Sequence, residues 1–287
     1  MKVYTDIAKV KVEWDKFNVS DFIHSSFLEV FYINHPKIKH LFVINKDMRL
    51  YAHIFELRFD KIVRYLRNKR LGLFVKFLKF DVLYLTNSFI TNIPAFASKN
   101  KINLDKFLSV LQYNYTLLVL PDFVFNNITT EKNEFCKIEV EGDMILEIHN
   151  KWCDLDSYIS DFRKKYRKKI KKFLNSSSEI EIRPMNANDL VFYSDNIKDL
   201  FSQVINESKF SGPLFNTDSF LSLIKKDTFK VYGYFINNDL IAFSSEIHQD
   251  KILYSYYVGF DKSLNKTFSI YPKILLESIN NAIVLKM

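Results

Sequence analysis

Phe229-Lys-Val-Tyr-Gly-Tyr-Phe-Ile-Asn-Asn-Asp-Leu-Ile-Ala-Phe-Ser-Ser-Glu-Ile-His-Gln-Asp-Lys-Ile-Leu-Tyr-Ser-Tyr-Tyr-Val-Gly-Phe260 is the stretch that decides the fold. It reads as three strands in tight succession, Phe229 to Ile236, Leu240 to His248 and Ile252 to Phe260, rich in aromatic and β-branched residues. Asn237-Asn-Asp239 and Gln249-Asp250 are hairpin connections by length and residue type. Upstream, Glu179 to Pro184 is a strand, Asn188 to Glu207 holds helical segments, Ser211-Gly-Pro213 is a turn and Asp218 to Lys226 a short helix. Downstream, a last helix runs from Ser269 or Pro272 to Leu285.

The first half shows strand, helix and antiparallel hairpin in a similar order, without evident sequence repetition. Trp14 to Phe31 carries helical periodicity, and His40 to Ile44 and Arg49 to Phe59 form a hairpin around Asn45-Lys46-Asp47. Asp60 to Arg70 is basic and helical. Phe80 to Leu85 is a strand, Asn103 caps a helix through Gln112, and Tyr115 to Leu120 is a strand stopped by Pro121. Phe135 to Val140 and Met144 to His149 read as extended. The fold class that follows is α/β (α+β), with mixed, largely antiparallel sheets in two related domains, 1–150 and 151–287.

A basic helix over 154–174 opens the second domain. From Arg163 to Lys172, eight of ten residues are cationic, against a net charge of +8 for the whole chain. Phe162, Tyr166 and Ile170 fall four apart, and Tyr158, Ile159 and Phe173 extend that stripe along one helical face. Tyr166 is therefore expected in a core. The opposite, cationic surface suits phosphates, anionic lipid or acidic sugar polymer.

Composition excludes several chemistries. Apolar residues make up 48% of the chain and charged residues 26%, which is a globular balance. The five glycines, Gly72, Gly142, Gly212, Gly233 and Gly259, stand apart from one another, so neither a Walker loop nor a G-x-G-x-x-G fingerprint is present. Cys136 and Cys153 cannot build a disulfide framework, and His35 and His40 lack a third ligand nearby, so no metal site is expected. No G-x-S-x-G elbow occurs. The N-terminus lacks a signal-peptide core. Lys76, Lys79 and Asp81 interrupt the apolar run from Leu71 to Leu85, which is too short to span a bilayer. A cytoplasmic location is expected, with contact at the inner face of a membrane left open.

Trp152-x5-Tyr158-x6-Lys165-Tyr166-Arg167 resembles the stretch that opens the second domain of bacterial FemAB-like proteins of the GNAT acyltransferase superfamily. Asp143-Met-Ile-Leu-Glu147, Asn206-Glu-Ser-Lys-Phe210, Tyr257-Val-Gly-Phe-Asp261 and Ile270-Tyr271 continue the similarity over most of the chain. The resemblance implies tandem GNAT-like domains that move an acyl or aminoacyl group onto an amine of a cell-envelope precursor, sugar or peptide. The donor it implies is acyl-CoA as co-substrate, or aminoacyl-tRNA. The family's glycine-bearing phosphate loop is replaced here by Leu264-Asn-Lys-Thr-Phe-Ser269, and its fifth strand would lie beyond Met287, so the second domain reads as C-terminally incomplete.

On this basis Glu246 is the candidate general base and Tyr257 lines the cleft with it. Lys266, Thr267, Ser269 and Tyr271 are the candidates for holding the donor. Lys165, Arg167, Ser208 and Lys209 are the candidates for substrate. The partner expected is a phosphate-bearing small molecule or envelope precursor, without specific DNA binding. The alternative, from the pI near 9.1 and the basic helices, is a non-catalytic binding protein for RNA or an anionic membrane surface.

Overall fold

A computed structural model describes residues 1–17, 20–58, 78–132, 134–139, 142–206 and 212–287. The chain divides into two units, Met1–Ile138 with Ser208–Ser219, and Glu139–Glu207 with Phe220–Met287. Each is a mixture of helices and predominantly antiparallel sheet. The expected helix at Asp60 to Arg70 and the candidates Ser208 and Lys209 lie outside the described residues.

The first unit contains β1 (Lys2–Tyr4), α1 (Lys11–Asp15), α2 (Ser25–Asn34), β2 (Lys39–Asn45), β3 (Met48–Arg58) and β4 (Lys79–Tyr84). It continues with β5 (Phe96–Ser98), β6 (Ile102–Asn103), α3 (Leu104–Val110), β7 (Leu117–Val119), α4 (Asp122–Phe125) and β8 (Ile128–Thr129). The main sheet runs β1-β2-β3-β4-β7, with β5 beside β3; β7 is parallel to β4 and the other pairs are antiparallel. Alternation gives this sheet two apolar faces. Leu41 and Val43 of β2 and Leu50, Ala52 and Ile54 of β3 pack with Phe107 of α3 and Val124 of α4. The intervening Phe42 stacks edge-on against Trp14 of α1, with ring centroids 5.7 Å apart.

The periodicity from Trp14 to Phe31 does not become one helix. The chain breaks after α1, and the Asp15 carboxylate accepts the backbone N–H of Ser25 at 2.9 Å, capping the start of α2 from outside. Residues 134–139 and 142–149 form no strand, contrary to the sequence reading, because no sheet edge pairs with them among the described residues.

Beside α2 the sheet buries imidazoles. His40 Nε2 donates to the His35 carbonyl at 3.1 Å, so Nδ1 accepts from the Tyr51 hydroxyl at 2.7 Å. His53 bonds Ser88 Oγ through Nδ1 at 2.6 Å, and its Nε2 has no partner among the described residues. Burial drives the His40 pKa down to about 4 and the His53 pKa well below the ordinary value.

The second unit contains α5 (Leu155–Ser160), α6 (Lys164–Ser176), β9 (Glu181–Pro184), α7 (Ala187–Phe192), α8 (Ser194–Ile205) and α9 (Phe220–Leu223). After these come β10 (Phe229–Ile236), β11 (Asp239–Gln249), β12 (Ile252–Phe260), α10 (Lys262–Phe268) and α11 (Ile270–Leu285). The sheet order is β12-β11-β10-β9, antiparallel throughout. Asn237 and Asn238 make the tight β10–β11 turn with φ of 50° and 68°, the left-handed region that Asn tolerates. The sheet lies between helices, α8 on one face and α11 on the other. Gly259 permits the first contact: a Cβ there would come within 2.7 Å of the Phe201 backbone nitrogen and 2.8 Å of the Leu200 carbonyl carbon in α8.

Helix α6 seats Ile170 and Leu174 in a cluster with Leu276, Ile279 and Ile283 of α11. That cluster does not reach Tyr166, which is 51% exposed and not the core residue its spacing suggested.

Two outcomes follow from this packing. Gly259→Ala should lower the unfolding free energy by about 1–3 kcal/mol through overpacking against α8, measured by urea denaturation. The depressed pKa of His40 means that the unfolded chain binds the proton first. Stability is therefore full above pH 6.5 and declines as the pH falls toward about 4. His40 alone should remove about 2 kcal/mol between pH 7 and 5. A pH series of melts should show this slope in the native chain and a flatter one in His40→Gln.

Candidate active site

The site is built on the face of the second sheet that α11 covers. On β11 the side chains of Ala242, Ser244, Glu246 and His248 share that face by alternation, and Tyr232 and Tyr234 of β10 lie across from Ser244 and Ala242. Tyr234 Oη and Ser244 Oγ are 3.1 Å apart. Glu246 is 1% exposed. A buried carboxylate requires donors, and α11 supplies them: Asn281 Nδ2 lies 3.1 Å from Oε1 and 3.3 Å from Oε2. His248 Nε2 is 3.1 Å from Oε2.

The donor arrangement fixes the imidazole tautomer. Both Glu246 oxygens accept from the Asn281 amide, so His248 Nε2 is the donor and Nδ1 is left as the acceptor. His248 keeps 13% of its side chain accessible while its partner is sealed. A buried carboxylate behind a partly exposed imidazole is an arrangement that accepts a proton at Nδ1 and stabilises the resulting cation at Nε2.

Glu277 of α11 enters the same field. Burial pushes its carboxyl pKa up; Lys273 opposes the shift and Glu246 adds to it. Burial, with Glu246 and Glu277 nearby, raises the Tyr232 phenol to about 12, and burial likewise raises Tyr234. Ser255 of β12 and Ser278 of α11 approach to 3.3 Å between hydroxyls.

Tyr257 is not part of this group. Its ring packs 5.8 Å from Phe201 and 6.3 Å from Phe220, on the α8 face, so the sheet separates it from Glu246. Between β11 and β12 the register shifts, and Ser245 Oγ fills the irregularity by accepting Tyr257 N–H at 2.9 Å. Burial holds the Tyr257 phenol neutral, with its pKa well above the ordinary value.

The segment expected to cradle phosphate is helical. Lys266 and Thr267 are exposed on α10, whose N-terminal amides at Ser263 and Leu264 are bonded to the Asp261 carboxylate. At the start of α11, Tyr271 N–H donates to Asn265 Oδ1 at 2.9 Å, and Pro272 has no N–H to offer. Ser269, with φ of 50°, joins the two helices and bonds Ser176 Oγ of α6 at 2.8 Å. The Tyr271 ring lies 5.7 Å from that of Phe260. At the start of α10 a carboxylate already holds the first amides, and at the start of α11 the Tyr271 N–H is engaged and Pro272 offers none. Lys165 and Arg167 are exposed on α6.

His248, Asn281, Glu277 and Tyr232 were not singled out in the sequence. The spacing Glu246-x-His248 was the available signal, since i and i+2 on a strand share a face. Nothing local marked Asn281.

No family model matches this sequence, and no curated protein matches it. Among solved structures, it is similar to a conserved protein of unknown function from Bacteroides thetaiotaomicron, at 12% identity and a TM-score of 0.48, over 98% of this chain and 88% of that one. A GCN5-related N-acetyltransferase from Kribbella flavida aligns at 8% identity and a TM-score of 0.37, over 95% of this chain and 61% of that one. An aminoglycoside acetyltransferase from an uncultured soil metagenomic sample, in complex with sisomicin, aligns at 16% identity and a TM-score of 0.25, over 36% and 73%. The structural neighbours thus include GNAT-type acetyltransferases, on partial coverage or at low identity.

Replacing Asn281 with Leu takes the donor from the buried Glu246 Oε1 and leaves Oε2 with His248 alone. It should cost about 1–3 kcal/mol in urea denaturation, and more in Asn281→Asp, where a second carboxylate faces the first.

Proposed function

We propose that the second unit is a GNAT-type N-acyltransferase in which His248 is the general base and Glu246 its positioning residue. The observation that carries this reading is the Glu246–His248 pair, held by Asn281 on the middle strand of the sheet. The succession of β9, helices, three antiparallel strands and α10–α11 agrees with the order that the GNAT resemblance implies. The first unit, with its antiparallel strands ending in a parallel β4–β7 pair, is read as a second domain of the same kind.

In the reaction, the amine nitrogen attacks the acyl carbonyl carbon and the new C–N bond forms. His248 Nδ1 takes the proton that the nitrogen sheds, and Glu246 stabilises the imidazolium through Nε2. The carbonyl re-forms as the bond to the donor oxygen or sulfur breaks; the leaving atom departs with the electron pair and takes the proton from His248. The donor is an activated acyl ester or thioester, and the acceptor an amine on a sugar, peptide or envelope precursor. The nucleotide part of CoA is expected to contribute little, because the Asp261 carboxylate holds the first amides of α10 and the Tyr271 N–H at the start of α11 is engaged.

The test compares acetyl-CoA with the acetyl thioester of N-acetylcysteamine, which lacks the nucleotide, over a panel of amino sugars, peptides and polyamines. Amide product should form from both donors with kcat/KM within about tenfold of each other, because binding energy from the nucleotide is missing. His248→Ala should lower kcat by about 10²–10⁴-fold in protein that circular dichroism shows to be folded, although the loss of a donor to Glu246 lowers its melting temperature, and added imidazole should restore part of the activity. Glu246→Gln should lower kcat more than it alters KM. Absence of amide product from thioester and aminoacyl-ester donors alike overturns the reading, as does full activity in His248→Ala.

A further inference from the structure

We propose that the outer face of α6, with the aliphatic stretch Met144–Leu146, is a docking surface for an anionic phospholipid bilayer. Arg163, Lys164, Lys165, Arg167, Lys168, Lys169, Lys171 and Lys172 are all exposed, and none makes an ion pair among the described residues. The nearest acid in sequence, Asp161, is already engaged: Lys151 Nζ lies 2.7 Å from its carboxylate, and Trp152 Nε1 donates to it at 2.5 Å. Helix α6 also has no acidic residue in its first turn, where Lys164 and Lys165 meet the positive end of the helix dipole. Like charges at i, i+3 and i, i+4, such as Lys164 with Lys168 and Lys165 with Lys169, repel along its length. This surface is arranged for a polyanion.

Two observations favour a bilayer over RNA. Single-stranded RNA is held by aromatic platforms set in a cationic groove. Here the only large apolar side chain exposed on α6 among the described residues is Tyr166. By contrast, the second unit presents Met144 at 88%, Ile145 at 86% and Leu146 at 44% exposure. This stretch ends beside Ile148, which packs in the same cluster as Ile170 and Leu174 of α6. Exposed aliphatic side chains a few residues along the chain from the seat of a cationic helix suit the boundary between headgroups and acyl chains. Because Ile170 and Leu174 are occupied by α11, the helix does not turn its apolar side to lipid; it stays seated, its cations meet headgroups and the aliphatic stretch inserts. No helix among the described residues is long and apolar enough to cross a membrane, so the contact is peripheral.

The inference does not depend on acyl transfer, because vesicle binding is read without turnover. The full chain would be sedimented with vesicles of phosphatidylcholine alone and of phosphatidylcholine with about 30% phosphatidylglycerol as the probe, whose negative surface potential attracts polybasic segments. Binding is expected only to the anionic vesicles, weakening as NaCl rises from about 0.1 to 0.5 M. A Lys165→Glu, Lys168→Glu, Lys172→Glu triple variant should lose affinity by about 100-fold or more, and the corresponding Gln variant by less. Met144→Ser with Ile145→Ser should lose about tenfold while leaving the salt dependence unchanged. Circular dichroism melts would confirm that each variant is folded. Equal binding to neutral vesicles overturns the proposal, as does indifference to the charge variants. So does competition by poly(U) RNA combined with indifference to the Met144/Ile145 change, which would assign the surface to nucleic acid.

Discussion

A carboxylate sealed between a sheet and a helix sets the terms for the second unit. Glu246 sits at 1% exposure in the middle of β11, where an ionisable group costs several kcal/mol unless donors surround it. Asn281 meets that requirement from α11, and His248 meets it from two residues along the same strand. The bond between Glu246 and Asn281 ties the register of the last helix to the register of the sheet. Helix α11 in turn presents Leu276, Ile279 and Ile283 as the seat for α6. On the other face Gly259 lets α8 approach the sheet to backbone contact. The position of the basic helix therefore depends on the polar bond as well as on apolar packing.

The first unit handles buried titratable groups in the opposite way. Among the described residues, His40 and His53 are not paired with acids. Burial holds them neutral, and carbonyl and hydroxyl partners satisfy most of their ring nitrogens. Neutral imidazoles provide polar specificity in a core without buried charge, at the expense of acid sensitivity. The Glu246–His248 pair places a sealed carboxylate next to an imidazole that solvent can still reach. The same residue type meets neutral partners in one unit and a carboxylate in the other.

Much of the local structure was legible in sequence because its signals are local. Period-2 alternation, the Asn237-Asn238 turn and the Asn103 cap each follow from the conformations that a few consecutive residues prefer, and the structure has all three. Local signals also misled. Met144 to His149 has strand composition but no sheet edge to join among the described residues, and strand formation depends on a partner more than on propensity. Tyr166 has core spacing, yet the apolar surface that could cover it ends at Ile170. Leu264 to Ser269 stands where the resemblance puts a glycine-bearing phosphate loop; without glycine and with Asp261 as N-cap, Leu264 to Phe268 lie in α10.

The sequence by itself determined the mixed α and β class, the three-strand meander from Phe229 to Phe260, the density of cations from Arg163 to Lys172 and the candidacy of Glu246. Each of these is a property of neighbouring residues. Only the tertiary structure decided that Glu246 and Tyr257 lie on opposite faces of the sheet, since the register shift at Ser245 and the choice of covering helix set which side each residue meets. It alone brought Asn281 to Glu246 across 35 residues of chain, and with that fixed the tautomer of His248. Hydrogen bonds between distant segments depend on how helices pack on sheets, and that packing is a global balance of burial and polar satisfaction that no single stretch of sequence contains.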